Sequence, residues 1–172
     1  MLRKKRLRIP GVLIAGLLVA EMAITQDAVH PSALDIQGAW TLVEWHHEGH
    51  VLRPPDIGGA YSLTNGQVTW IVFRKTVAGE TSEQCYGTYK ISLDSFEYRY
   101  DRCSETVVAS DNVSFEAGPW STLPFSVTDD NGKLVLIDEN GEFGFELVGE
   151  RLTDTQDGLP LRVYQRANWN ER

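Results

Sequence analysis

Cysteine is scarce: there are two in 172 residues, Cys85 and Cys103. Two cannot build a four-thiolate zinc site, and their spacing is not the C-x-x-C of a redox motif. A G-x-S-x-G elbow is missing, and so is a P-loop, which removes the usual signals of serine hydrolases and of phosphate-cradling enzymes. Positive charge is in short supply, with 16 Lys and Arg against 24 Asp and Glu. Apolar runs are short. The one at 9–20 has 12 residues, against the roughly 20 that span a bilayer. Helical periodicity is also wanting, since no stretch after residue 28 carries a convincing 3.6-residue apolar stripe.

The N-terminus has what the rest lacks. MLRKKRLR sets five basic residues ahead of the apolar run IPGVLIAGLLVA, and small residues follow. This is the layout of a secretory signal peptide. The expectation is a leader over 1–28, cleaved somewhere between 20 and 28, and a single domain over 29–172. No cysteine follows the apolar run, so a bacterial lipid anchor has no attachment point, and no stable membrane anchor is expected. Without the leader the chain keeps 11 basic and 22 acidic residues, a net charge of −11. Such a surface repels phosphate backbones, so nucleic acid is not an expected partner. Localisation reads as exported, periplasmic or extracellular. In that setting two cysteines are read as a disulfide.

The domain itself reads as a chain of hairpins. GAYSLT and QVTWIVF flank Asn65-Gly66, a dipeptide suited to a type I′ turn. That register sets Leu63 opposite Val68 and Tyr61 opposite Trp70. A second turn is expected at Asp94-Ser95, with Tyr98 and Tyr100 on the apolar face beyond it. Further turns fall at Asn131-Gly132, Asn140-Gly141 and Asp157-Gly158. A two-residue turn at Asp94-Ser95 leaves Cys85 one position out of register with Cys103. A one-residue bulge would align them, and Gly87 is the natural place for it. The resulting bridge is worth on the order of 3 kcal/mol. A long antiparallel meander closes most economically into a barrel, because closure removes exposed edges. The expected fold is therefore all-β, an antiparallel up-and-down barrel of about eight to ten strands. A two-sheet sandwich is the alternative.

Three of the four histidines lie within WHHEGH, 45–50. A zinc protease needs H-E-x-x-H on a helix. His47-Glu48-Gly49-His50 is one residue short of that spacing, and the preceding Trp, Thr and Val favour a strand. On a strand His46 and His47 point to opposite faces. No metal is expected, and His46 and His50 are only weak candidates for one. No cofactor is implied. Most carboxylates, Asp154 and Asp157 among them, are assigned to turns.

The opening strand DIQGAWTLVEW carries Gly38-Ala39-Trp40 and resembles the first strand of lipocalin-like proteins of the calycin superfamily. A hairpin, SLTNGQVTW, a G-x-Y segment, Gly87-Thr88-Tyr89, and the closing strand LRVYQRA complete the resemblance. META-like envelope proteins also open on W-x-L, but Glu83-Gln84-Cys85 stands where their G-C-N usually lies. The lipocalin resemblance implies that Trp40 plugs the closed end of the barrel and packs against a late arginine, Arg166 by position, with Arg162 second. It implies binding of a small hydrophobic or amphipathic molecule in the barrel cup; few members of the family are enzymes, so no enzyme is expected, though fold alone does not decide function. Tyr61, Trp70, Tyr98 and Tyr100 would line that cup. With Trp40 inward, alternation carries Leu42, Glu44 and His46 onto the same face, making the last two polar groups of the cavity. The competing reading twists or bulges the strand after Trp40, turning Val43 and Trp45 inward and Glu44 to solvent. Two other functions stay open: a structural or interaction domain with a filled core, and an isomerase or hydrolase using Glu44 and His46. The sequence names no protein partner.

Overall fold

The computed structural model describes residues 31–76, 79–107, 112–118 and 122–168. The leader expected at 1–28 lies outside them. A short 3-10 turn, Ala33–Ile36, precedes the strands. The first five strands are β1 (Gly38–His47), β2 (His50–Leu52), β3 (Ile57–Thr64), β4 (Gln67–Thr76) and β5 (Gly79–Ile91). β6 (Ser95–Val107), β7 (Asn112–Ala117), β8 (Leu123–Asp130) and β9 (Lys133–Asp138) follow. β10 (Phe143–Val148), β11 (Arg151–Gln156) and β12 (Leu159–Arg166) complete the chain.

Ten of these strands form a closed antiparallel ring. β1 pairs with β3 on one side and with β12 on the other, which seals the barrel. β2 sits on β1 and β7 sits on β6, both outside the ring. Turn chemistry explains most of the connections. Asn65-Gly66 and Asn131-Gly132 take positive φ, as two-residue hairpin turns with right-handed strands require. Leu63 opposes Val68 and Tyr61 opposes Trp70, the register read from the sequence.

The second hairpin differs from the expectation. Ile91 pairs with Phe96 and Tyr89 with Tyr98, so the turn falls at Leu93-Asp94 rather than Asp94-Ser95. Leu93, at the turn, is 68% exposed. Further along, the register shifts between Tyr86 and Gly87, with Asp101 as the extra residue on β6, and this brings Cys85 opposite Cys103. The two form a disulfide. Gly87 is needed here for its missing side chain: a Cβ would overlap the Arg99 carbonyl and the Tyr100 backbone. The bridge marks a protein matured in an oxidising environment.

The interior is aromatic. Phe96, Phe125, Phe145, Tyr61, Tyr98 and Tyr164 form a connected ring cluster, with centroids 5.5–6.3 Å apart along its pairs. Aliphatic side chains fill around it, among them Leu42, Leu63, Val68, Val72, Leu134, Leu136 and Leu152, all at most 1% exposed.

Candidate functional site

One end of the barrel is sealed. Trp40 is fully buried, and its indole N–H donates to the Ile36 carbonyl at 2.9 Å. The guanidinium of Arg166 lies 4.1 Å from the Trp40 ring centre. Its two terminal nitrogens donate to the carbonyls of Gln37 (2.9 Å) and Asp35 (2.7 Å), and its Nε pairs with Glu150 at 2.7 Å. The 3-10 turn is thereby fastened over the barrel floor, and Tyr89 joins it by donating to the Gln37 side chain. Gly38 at φ 123 lets the chain bend from the turn into β1, and a Cβ there would press on Arg166.

The other half holds a cavity of about 190 Å³. β3, β4 and β6 supply Tyr61, Trp70, Tyr98 and Tyr100 to its wall. The opposite wall comes from β10 to β12, with Phe145, Asp154, Arg162 and Tyr164 inside and Phe143 and Leu161 nearer the rim. β8 and β9 lie between those walls in the strand order yet contribute none of the lining. The reason lies in β6. It pairs with β8 only over Ser95–Tyr98 and with β7 from Arg102 onward, so the ring parts beside Tyr100.

Arg162 and Asp154 are the charged groups of the wall. They are cross-strand neighbours on β12 and β11. Asp154 accepts from the Arg162 backbone N–H at 2.6 Å and from its Nη1 at 2.9 Å. Burial pushes the Asp154 carboxyl up despite the attraction of Arg162. Burial also opposes the charge on Arg162, but the field of Asp154, together with the field and hydrogen bond of Tyr164 and the field of Glu83, outweighs it and holds the guanidinium ionised. The Arg162 guanidinium lies 4.5 Å from the Trp70 ring centre and 5.1 Å from that of Trp45. Arg74 meets the same Trp45 ring at 5.1 Å. Trp70 donates its indole N–H to the Tyr164 oxygen at 3.1 Å.

The tyrosines stay protonated. Burial pushes Tyr98 up to about 12 and Tyr61 and Tyr100 well above their ordinary range. Burial raises Tyr164 in the same way. At neutral pH each can therefore donate a hydrogen bond. Two of the wall's buried polar atoms have no partner: the Tyr61 hydroxyl and Arg162 Nε.

Glu44 and His46 are elsewhere, which corrects the inward reading of β1. Leu42 faces Tyr164 and Glu44 faces Val163, so Val43 is an extra residue in the strand. The bulge shifts the alternation by one. Leu42 and Trp45 both turn inward, at 1% and 5% exposure. Glu44 reaches the outer face and pairs with Arg53 at 3.0 Å and Arg151 at 3.3 Å. His46 Nε2 lies 3.5 Å from the Glu44 carboxylate. Partial burial raises the Glu44 carboxyl, but the Arg53 hydrogen bond and the fields of Arg151 and Arg53 outweigh it and hold it below its ordinary range.

WHHEGH is itself a hairpin. Glu48 and Gly49, at φ 50 and 76, turn the chain so that His47 opposes His50. His46 opposes Val51 and so points to the other face from His50. The two weak metal candidates therefore do not converge. Among the described residues no group of three or more His, Cys, Asp or Glu could hold a metal ion.

Sequence reasoning placed Asp154 in a turn, whereas it stands mid-strand on β11. A signal was present. LRVYQRA sets Arg162 and Arg166 on the same face as Tyr164, and an inward arginine needs a buried carboxylate facing it. Comparison with protein families, curated proteins and solved structures finds no match to this chain.

Proposed function

We propose that this chain is an exported, lipocalin-like binding protein that holds a small hydrophobic or amphipathic molecule in the barrel cup. The observation that carries the reading is the cavity between Trp70 and Phe145, walled largely by aromatic rings. Apolar walls with a few placed polar groups are the usual make-up of a small-molecule site. The ten-strand closed barrel and the Trp40–Arg166 stack accord with the lipocalin-like resemblance. The signal-like N-terminus and the disulfide support export. Binding is the activity proposed, without turnover, because Glu44 and His46 lie outside the cup.

A second reading is favoured by one number. The cavity, about 190 Å³, is smaller than the roughly 300–1,000 Å³ of common ligand pockets. A structural or interaction domain with a filled core would have such a void. Trp70 borders the cavity, so intrinsic fluorescence separates the two readings. Toluene added to the purified chain should change Trp70 emission saturably, and a Phe145→Trp variant should abolish the response by filling the space. A flat titration with toluene would favour the filled core.

A further inference from the structure

We propose that the free edge of β7 is an interface at which a second copy of this chain adds its own β7, antiparallel about a two-fold axis at Phe115.

Barrel closure hides most strand edges and leaves this one. Among the described residues β7 pairs with β6 alone, and its other side meets no strand. β2 also has a single partner, but it is only three residues long, and short edges are protected by their length. β7 has six residues, NVSFEA, with none of the lysine, proline or bulge that usually blunts an edge. Ser114, Phe115 and Glu116 are all exposed, so neither face of the strand is covered at its middle. Phe115 is 62% exposed even though the Arg102 guanidinium lies 5.0 Å from its ring centre.

Register fixes where the backbone groups point. The Gly118 N–H donates to the Asp101 carbonyl at 3.0 Å. Glu116 and Ser114 oppose Cys103 and Glu105 at the next alternate positions, so they too turn their N–H and C=O towards β6. The Cys85–Cys103 pair agrees. Its Cα atoms are 4.1 Å apart, the narrow spacing of a non-hydrogen-bonded pair, which leaves the backbone of Cys103 to bond β7. Val113, Phe115 and Ala117 therefore turn their N–H and C=O groups outward.

These outward groups are symmetric about Phe115, so the edge is its own complement. Phe115 opposite Phe115 of the second copy sets Val113 opposite Ala117, and each such pair exchanges two hydrogen bonds. Ser114 then opposes Glu116, so like charges do not meet directly. Phe115 shares a cross-strand row with Ser104, Gln84 and Ile71, and the two rings meet where the exposed side of that row ends. Any extended segment would find the same backbone groups; the symmetric register singles out a second copy. Each chain offers one such edge, so the contact closes at a dimer.

Sedimentation velocity of the purified chain, from about 10 µM to about 1 mM, tests the proposal. The contact is small, so the dimer should be weak, with a Kd of roughly 100 µM. Both copies are acidic, so raising NaCl from about 50 to about 500 mM should tighten it by screening their repulsion. Phe115→Pro removes an outward N–H and leaves Ser114 and Glu116 to hold β6, so it should weaken the dimer at least tenfold with an unchanged melting curve. Should that variant melt earlier than wild type, Phe115→Lys decides in its place: it keeps the backbone and sets like charges face to face, and should abolish the dimer. Hydrogen exchange locates the contact, because the Phe115 amide should slow as concentration rises. A monomer at every concentration overturns the proposal. A dimer that survives the deciding variant, that loosens as salt rises, or that leaves Phe115 exchange unchanged overturns it equally.

Discussion

Two arginines four residues apart on β12 face the barrel interior, and both lie against tryptophan. Arg166 stacks on Trp40, and every branch of its guanidinium has a partner: two backbone carbonyls and Glu150. Arg162 stacks on Trp70 and Trp45 and binds Asp154, but its Nε is left over. The same side chain on the same strand serves two ends differently. At the floor it completes a closed hydrogen-bond set, which fixes structure. In the cup its Nε stays buried without a partner, at a cost in stability. An unsatisfied buried donor is the mark by which the two ends are told apart.

That contrast can be broken from either side. The largest effect is expected at the floor. Trp40→Ala removes the best-packed aromatic and should cost about 3–5 kcal/mol, read from urea unfolding. Arg166→Met should follow at about 2 kcal/mol, since two carbonyls lose a charged donor. Neither change touches the cup, so the Trp70 response to toluene should persist in the folded fraction. If Arg166→Met proves neutral, the floor is not held as described.

Tyr61→Phe should go the other way and stabilise the protein by about 0.5–1 kcal/mol, because it deletes a hydroxyl buried without a partner. A loss of stability in that variant would mean the hydroxyl is satisfied after all. The smallest effect is expected outside the barrel. The folded-state pKa of Glu44 is depressed from 4.5, so its stabilisation is present above pH 4.5 and is lost as pH falls through the lower, folded value. Glu44→Gln should therefore cost about 0.5 kcal/mol at pH 7, the scale of an exposed pair, and nothing at pH 2. Equal destabilisation at both pH values would assign the loss to packing.

The hairpins were legible because their causes are local. Asn65-Gly66, Asn131-Gly132 and Asp157-Gly158 each state a turn in two residues, and alternation on either side sets the register. The disulfide was legible as a pair, but not its register: the turn lies one residue earlier than expected and the extra residue is Asp101 on β6, opposite the step at Gly87. The opening strand was not. Trp45 argued for a bulge, but nothing in TLVEW places the extra residue at Val43, and one residue reverses every side chain after it. Glu48-Gly49 escaped notice because glutamate is an uncommon occupant of a positive-φ turn position. The cup's charged pair was half visible. Arg162 was a candidate from position alone, but its partner Asp154 becomes a neighbour only once β11 and β12 are paired.

The seam that closes the barrel also sets a timetable. β1 meets β12 across more than 110 intervening residues, and Arg166 bonds the chain 129 and 131 positions earlier. Arg162 of the cup and Arg166 of the floor both sit within Leu159–Arg166. A chain emerging from a ribosome or threading through a translocation pore can form its early hairpins, but floor, seam and cup all wait for the last strand. Loss of only the final dozen residues would therefore leave no smaller working version of the protein. It would leave an open sheet with two unpaired edges, the state most prone to associate with its own copies.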